Sequence, residues 1–141
     1  MQISELPVFI VNDDEDDHFL VNEVWNELEI KNPLIFFNNG EQLIQEIKFK
    51  KTIPFIIISD INLPKIDGFK LRQILKDDES LSGKSIPFVF WSASATLQQI
   101  EKAYDLSVQG FFVKEQKFEE IKDTFKRIIA YWFKSKSPEK L

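Results

Sequence analysis

Cysteine is absent from the sequence, which removes disulfide bonds, thiol chemistry and thiolate metal ligation together. Basic surplus is lacking as well. Eighteen Lys and Arg face 23 Asp and Glu, a formal net charge of -5, so nothing is left over to neutralise the phosphates of a nucleic acid. No apolar run approaches the roughly 18 residues of a membrane span. The opening Met1-Gln2-Ile3-Ser4-Glu5-Leu6 lacks the basic region and apolar run of a signal peptide, so the expected location is the cytoplasm. Histidine occurs only as His18, on an early helix turn, where it reads as a solvated residue with nothing to make it a base or a phosphodonor. Internal repeats and low-complexity segments are absent too.

What remains is ordinary for a globular chain: 141 residues, 43% hydrophobic and 29% charged, which predicts a single domain over 1–141 with a flexible tail over 135–141. Fourteen Phe is a high count, and core packing accounts for most of it. Short apolar runs alternate five times with amphipathic stretches. The strands are predicted at Val8–Val11, Leu34–Phe37, Phe55–Ser59, Phe88–Trp91 and Phe111–Val113. Helices are predicted at Asp16–Glu29, with Leu20, Val21, Val24 and Leu28 inward and Phe19 opposite, and at Glu41–Phe49, burying Leu43, Ile44 and Ile47. Further helices follow at Phe69–Lys76 with Leu71, Ile74 and Leu75 inward, at Thr96–Tyr104 with Leu97, Ile100 and Tyr104 inward, and at Phe118–Lys134 with Ile121, Phe125, Ile128 and Trp132 inward. Asp77–Ser85, with Gly83, reads as a loop. Pro7, Pro33, Pro54 and Pro87 each stand immediately before a strand, where a missing N–H costs little. Strands alternating singly with helices imply parallel pairing and a three-layer α/β/α fold.

In such a sheet, ligands bind at the carboxyl ends of the strands, and polar residues gather there. Asn12-Asp13-Asp14-Glu15-Asp16-Asp17 follows the first strand, Asp60 the third, Ser92 the fourth and Lys114 the fifth. Asp16 and Asp17 fit a helix N-terminus, whose dipole favours acids. Asp13 and Asp14 lie at the strand end beside Asp60, and converging carboxylates repel unless a cation sits between them. Mg²⁺ suits an all-oxygen donor set that keeps several waters. With Lys114 and the Ser92 hydroxyl, the set suits handling a phosphoryl group on Asp60.

Val11-Asn12-Asp13, then Asp60-Ile61-Asn62-Leu63-Pro64 with Asp67-Gly68, then Ser92-Ala93 and Lys114 together resemble the response-regulator receiver domain of two-component signalling, over the chain up to about Lys134. The resemblance implies a flavodoxin-like sheet of five parallel strands in the order 2-1-3-4-5. It implies that Asp60 accepts a phosphoryl group from a phosphohistidine on a sensor kinase or phosphotransfer protein. Mg²⁺ would be held by Asp13, Asp60 and the main-chain carbonyl of Asn62. Ser92 and Phe111 would form the switch, and Lys114 would pair with Asp60. Such a protein acts as a stand-alone signalling module through a downstream protein partner or phosphorelay. It is no enzyme beyond its own phosphorylation and dephosphorylation. Aromatics near Phe111 and Tyr104 offer a partner or homodimer face.

Two positions depart from the pattern. Asn12 stands where the family usually has a second acid, so Mg²⁺ should bind more weakly, with Asp14 compensating in part. Glu115 stands where the family has a cis-proline, so a trans bond is expected, with an altered loop, a changed reach for Lys114 and competition from Glu115. These departures feed an alternative, a degenerate receiver that binds partners without phosphorylation. Two other readings fail on spacing. A calcium loop on Asn12, Asp14, Asp16 and Glu23 has Asp17 where glycine is required. A haloacid-dehalogenase-like phosphatase needs a second Asp two residues after the first, and Asn62 and Glu15 occupy those places.

Overall fold

The computed structural model describes residues 2–81 and 84–138. Gly83 of the predicted loop and residues 139–141 of the predicted tail lie outside the described residues. Strands β1 (Val8–Val11), β2 (Leu34–Phe37), β3 (Ile56–Ser59), β4 (Phe88–Ser92) and β5 (Gly110–Val113) alternate with helices α1 (Glu15–Leu28), α2 (Gly40–Lys50), α3 (Gly68–Asp77), α4 (Leu97–Asp105) and α5 (Phe118–Lys134). All four strand pairings are parallel and the order is β2-β1-β3-β4-β5. Phe55 stays outside β3, while Ser92 and Gly110 join β4 and β5. Short 3-10 turns occupy Ile3–Glu5 and, inside the predicted loop, Glu79–Leu81.

The prolines do more than tolerate the strand starts. The carbonyls of Pro7, Pro33 and Pro87 accept from the N–H groups of Phe55, Val8 and Ile57 at 2.7, 2.8 and 2.9 Å. A residue with no donor thus opens the ladder through its acceptor. Within the strands the two-residue period divides the core. Val8, Ile10, Ile56, Ile58, Val89 and Trp91 point to the layer of α1 and α5. Phe9, Val11, Ile57, Phe88 and Phe90 point to the layer of α2, α3 and α4. Both faces are covered, so the strands are apolar without alternation. Much of the Phe count is spent in that second layer, where Phe9–Phe37, Phe69–Phe90 and Phe88–Phe90 meet edge-on at 4.9–5.4 Å. Such pairs add about 0.5–1.5 kcal/mol each beyond their burial.

Helix α1 buries Val21, Val24 and Trp25, with Leu20 and Leu28 half-buried beside them and Phe19 outward. The Trp25 indole donates to the Asn32 carbonyl, and the buried Asn32 amide donates to the carbonyls of Ile3 and Leu6, tying the N-terminal turn to the core. Helix α5 buries Ile121, Phe125, Ile128 and Ile129, with Trp132 half-buried. Glu29 and Lys51 end α1 and α2 in the left-handed region, at φ 52° and 53°, where glycine is the usual residue.

Helix α4 corrects the predicted pattern. Leu97 and Tyr104 are 71% and 53% exposed, and Ala103 is the buried residue. Two stripes share Ile100: one runs through Leu97 and Tyr104, the other through Ala103. The small Ala103 side chain lets the helix backbone approach the sheet closely, and that stripe wins. Among the described residues no helix is long and apolar enough to cross a membrane.

Candidate functional site

The strand ends are level with one another because the ladder continues one residue past β1, β3 and β5. Asp60 N–H donates to the Val11 carbonyl at 2.9 Å, Asn12 N–H to that of Phe37 at 2.9 Å and Lys114 N–H to that of Ser92 at 2.8 Å. Asn12, Asp60, Ser92 and Lys114 therefore arrive at one edge of the sheet. Helix α3 closes the side beneath Asp60. Gly68 N–H donates to the Ile61 carbonyl at 2.7 Å, and a Cβ at Gly68 would fall 2.3 Å from the Asp60 carbonyl oxygen. Only a residue without a side chain allows that approach.

Lys114 is the centre of the cluster. Its ammonium donates to Asp60 Oδ2 at 2.8 Å and to Asp17 Oδ2 at 2.7 Å, and all three side chains are 16% exposed or less. It also lies 4.9 Å from the centre of the Trp91 ring, a favourable site for a cation. Burial pulls the Lys114 pKa down, but the hydrogen bonds and charges of Asp17 and Asp60 outweigh it and leave the pKa raised. The ammonium form is therefore firmly held. Asp60 Oδ1 accepts from the Ile61 N–H at 2.8 Å, which fixes the carboxylate, and the Ser59 hydroxyl donates to the Asp60 carbonyl at 2.8 Å.

The acidic run after β1 divides differently from its sequence reading. Asp14 is exposed and caps α1, its Oδ1 accepting from the Asp16 N–H at 2.8 Å. Asp17, assigned from sequence to the helix dipole, turns inward to Lys114. It sits in the first turn of α1, one of several acids in a row, and no sequence signal separates it from its neighbours. Asn12 is fully buried, and His18 Nε2 hydrogen-bonds to its carbonyl at 2.5 Å while stacking on Phe36.

Ser92 is completely buried at the end of β4, its Oγ accepting from the Ser94 N–H at 3.3 Å. Phe111 is half-buried, its ring 6.0 Å from that of Phe90. No cis peptide occurs among the described residues, so the Lys114–Glu115 bond is trans, and Lys114 nevertheless reaches Asp60. Glu115 does not compete for the ammonium: one of its oxygens takes the Thr124 hydroxyl. A hollow of about 890 Å³ between α2 and α3 shares no residue with this cluster.

The oxygen donors at this edge are of the kind a hard divalent cation takes. Asp13 is exposed, and among the described residues its carboxylate accepts no hydrogen bond, so its oxygens are available. Asn62 is exposed just beyond Asp60. No three His, Asp or Glu side chains among the described residues form a ready-made cage. Two carboxylates and a main-chain oxygen instead suit a cation such as Mg²⁺ that retains water.

Known proteins resemble this chain in sequence and in fold. The chain is 26% identical over 133 residues to the response regulator Rcp1 of Synechocystis sp., covering 91% of this chain and 89% of that protein. It is 23% identical over 129 residues to the probable methanogenesis regulatory protein FilR2 of Methanothrix harundinacea, covering 89% and 82%. Among solved structures, the phosphorylated cyanobacterial phytochrome response regulator RcpA superposes with a TM-score of 0.84 at 24% identity, covering 95% of this chain and 99% of that one. The Mn²⁺-bound form of Rcp1 superposes at 0.81 and 24%, covering 94% and 99%. These superpositions establish the fold. Residues 8–126 match the response regulator receiver domain, and the chain belongs to that family.

Proposed function

We propose that this receiver takes a phosphoryl group on Asp60 from a phosphohistidine of a sensor kinase or phosphotransfer protein, and signals through partner binding that depends on it. The observation that carries this is the Lys114 ammonium 2.8 Å from Asp60 Oδ2, beside the buried Ser92, at the carboxyl edge of a parallel sheet. An Asp60 oxygen attacks phosphorus, the P–N bond to the imidazole breaks as the P–O bond forms, and the imidazole leaves with the electron pair. Hydrolysis of the acyl phosphate by water returns the carboxylate and inorganic phosphate. Lys114 neutralises charge on the transferred oxygens, and the Ser92 hydroxyl donates a hydrogen bond to one of them. A divalent cation, Mg²⁺ in this reading, would be held by Asp13, Asp60 and the Asn62 carbonyl and would add positive charge against the same oxygens. The binding of Mn²⁺ by the similar Rcp1 supports that part. Drawing Ser92 toward the phosphoryl group, with Phe111 following, would shift an existing conformational equilibrium.

The test is treatment of the purified chain with acetyl phosphate, with and without Mg²⁺, followed by intact mass and Trp fluorescence. A Mg²⁺-dependent gain of one phosphoryl group, abolished by Asp60→Asn, is expected. Trp91 lies against Lys114, so its emission should change in step. A second reading, constitutive partner binding by a degenerate receiver, is favoured by Asn12 alone. A folded chain that takes up no phosphoryl group, with Asp60→Ala binding its partner normally, would establish it instead.

A further inference from the structure

Position 12 carries an amide, and the structure shows what the amide does. Asn12 is 1% exposed. Its Oδ1 accepts from the Asp14 N–H at 2.8 Å and its Nδ2 donates to Asp17 Oδ2 at 3.0 Å. Both ends are used, and the orientation is fixed, since only the NH₂ end can face a carboxylate. An acid at position 12 would set carboxylate against carboxylate across that contact. Asn12 and Asp17 are thus a matched pair, in which an acid at 17 requires a donor at 12.

Asp17 faces the rest of the site through the same oxygen, which accepts from Lys114 at 2.7 Å, as close as Asp60 does at 2.8 Å. Its Oδ1 has no hydrogen-bond partner among the described residues. The charges close accordingly. Asp13, Asp17 and Asp60 are three carboxylates against one ammonium, the balance that acids at positions 12 and 13 would have given with Asp60 and Lys114.

We infer that the acid missing at position 12 has been relocated to Asp17. Asp17 is a positioning residue that supplies the second auxiliary negative charge of the cation pocket and holds Lys114 jointly with Asp60. The inference rests on the proposed function, since the pocket is the one that reading assigns. With Lys114 gripped from α1 as well as from the residue after β3, the ammonium stays at the rim when the charge on Asp60 changes. The weaker Mg²⁺ binding expected from Asn12 is then offset by Asp17 and not by Asp14, whose side chain is committed to capping α1.

The test is a charge exchange. Wild type, Asp17→Asn, Asn12→Asp and the double variant Asn12→Asp/Asp17→Asn are titrated with Mn²⁺, read by Trp fluorescence, and unfolded in urea without metal. Asp17→Asn should weaken Mn²⁺ binding by about 10- to 100-fold, the usual cost of a lost supporting group. Asn12→Asp should lower metal-free stability. The double variant should recover most of the metal affinity and of the stability, because donor and acceptor are exchanged. A helix-dipole role for Asp17 would give loss without rescue. Unchanged affinity in Asp17→Asn, or a double variant no better than Asp17→Asn, overturns the inference. Should Asp17→Asn fail to fold, the double variant decides alone, by wild-type-like or lost affinity. Phosphorylation separates the levels: a wild type that accepts phosphate on Asp60 while Asp17→Asn binds Mn²⁺ normally defeats only this inference, whereas a wild type that neither binds Mn²⁺ nor accepts phosphate defeats the functional reading with it.

Discussion

Gly68→Ala sets two effects of opposite sign against each other. Gly68 opens α3, with Asp67 as its N-cap, the Asp67 side chain accepting from the Lys70 N–H. Alanine there improves helix propensity and narrows the unfolded ensemble, a gain of up to about 1 kcal/mol. Against it stands the space. The new Cβ would lie 2.3 Å from the Asp60 carbonyl oxygen, 2.8 Å from a Phe90 ring carbon and 2.9 Å from Ile61 Cα, where ordinary contacts are 3.4–4 Å. Two of the three atoms are backbone and cannot rotate aside. Relief requires a shift of about 1 Å between α3 and the segment after β3, at the expense of the Gly68–Ile61 hydrogen bond. Overpacking of this kind costs about 1–3 kcal/mol, and backbone clashes fall at the upper end. Sterics should therefore win by about 2 kcal/mol, lowering Tm by roughly 4–10 °C for a chain of this size.

Urea unfolding followed by Trp fluorescence measures this directly: the midpoint should fall with the slope unchanged. The shift also moves the peptide that aims the Asp60 carboxylate at Lys114. Phosphorylation by acetyl phosphate should slow by about tenfold or more, since a misplacement of this order costs up to about a hundredfold. A Gly68→Ala protein as stable as wild type, or more stable, would refute the steric account and show that α3 floats free of the Asp60 segment.

Lys114→Met keeps the stem but takes the ammonium from Asp17 and leaves Asp60 Oδ2 without a donor, and should cost about 1–3 kcal/mol. The Lys114 pKa is raised by folding, so its contribution is full below the ordinary lysine value near 10.5 and is lost as pH rises through the folded value. The stability gap between wild type and Lys114→Met should accordingly hold at about pH 8 and narrow above about pH 11, checked by urea unfolding. Glu29→Gly and Lys51→Gly place glycine where the backbone is left-handed, and each should raise stability by about 0.5–1 kcal/mol in the same assay. Leu97→Ser should change stability by less than about 0.5 kcal/mol, because the side chain it removes already faces solvent.

Most of the sheet was legible because each strand is a short apolar run with a proline, a turn or a polar residue at its boundary. Asp60, Ser92 and Lys114 were legible as strand endings, since parallel pairing brings all such endings to one edge. Asp17 was not. Its partner is 97 residues away, and what selects it from the acidic run is the rotation of α1 set by the Asp14 cap together with the length of the Lys114 stem. Neither is encoded in spacing. Leu97 and Tyr104 escaped for a related reason: helical periodicity finds a stripe, but the choice between two stripes sharing Ile100 depends on how closely the backbone can approach, which Ala103 decides.

The same choice makes α4 the most lightly held of the helices. Ala103 is its only fully buried residue, whereas α5 buries four and the longer α1 three. Its attachment is also uneven. At the C-terminal end Arg72 of α3 donates to the carbonyls of Leu106 and Ser107 at 2.9 Å each, with its guanidinium 5.4 Å from the Phe88 ring centre, and Val108 is buried just beyond. The N-terminal end has an exposed Leu97 and a cap drawn from its own Thr96 and Gln99. Local opening starts where buried contacts are fewest. That end is the one joined to Ser92 through the short segment from Ala93 to Ala95, so a change in the position of Ser92 meets little resistance at the start of α4 and a firm anchor at its finish.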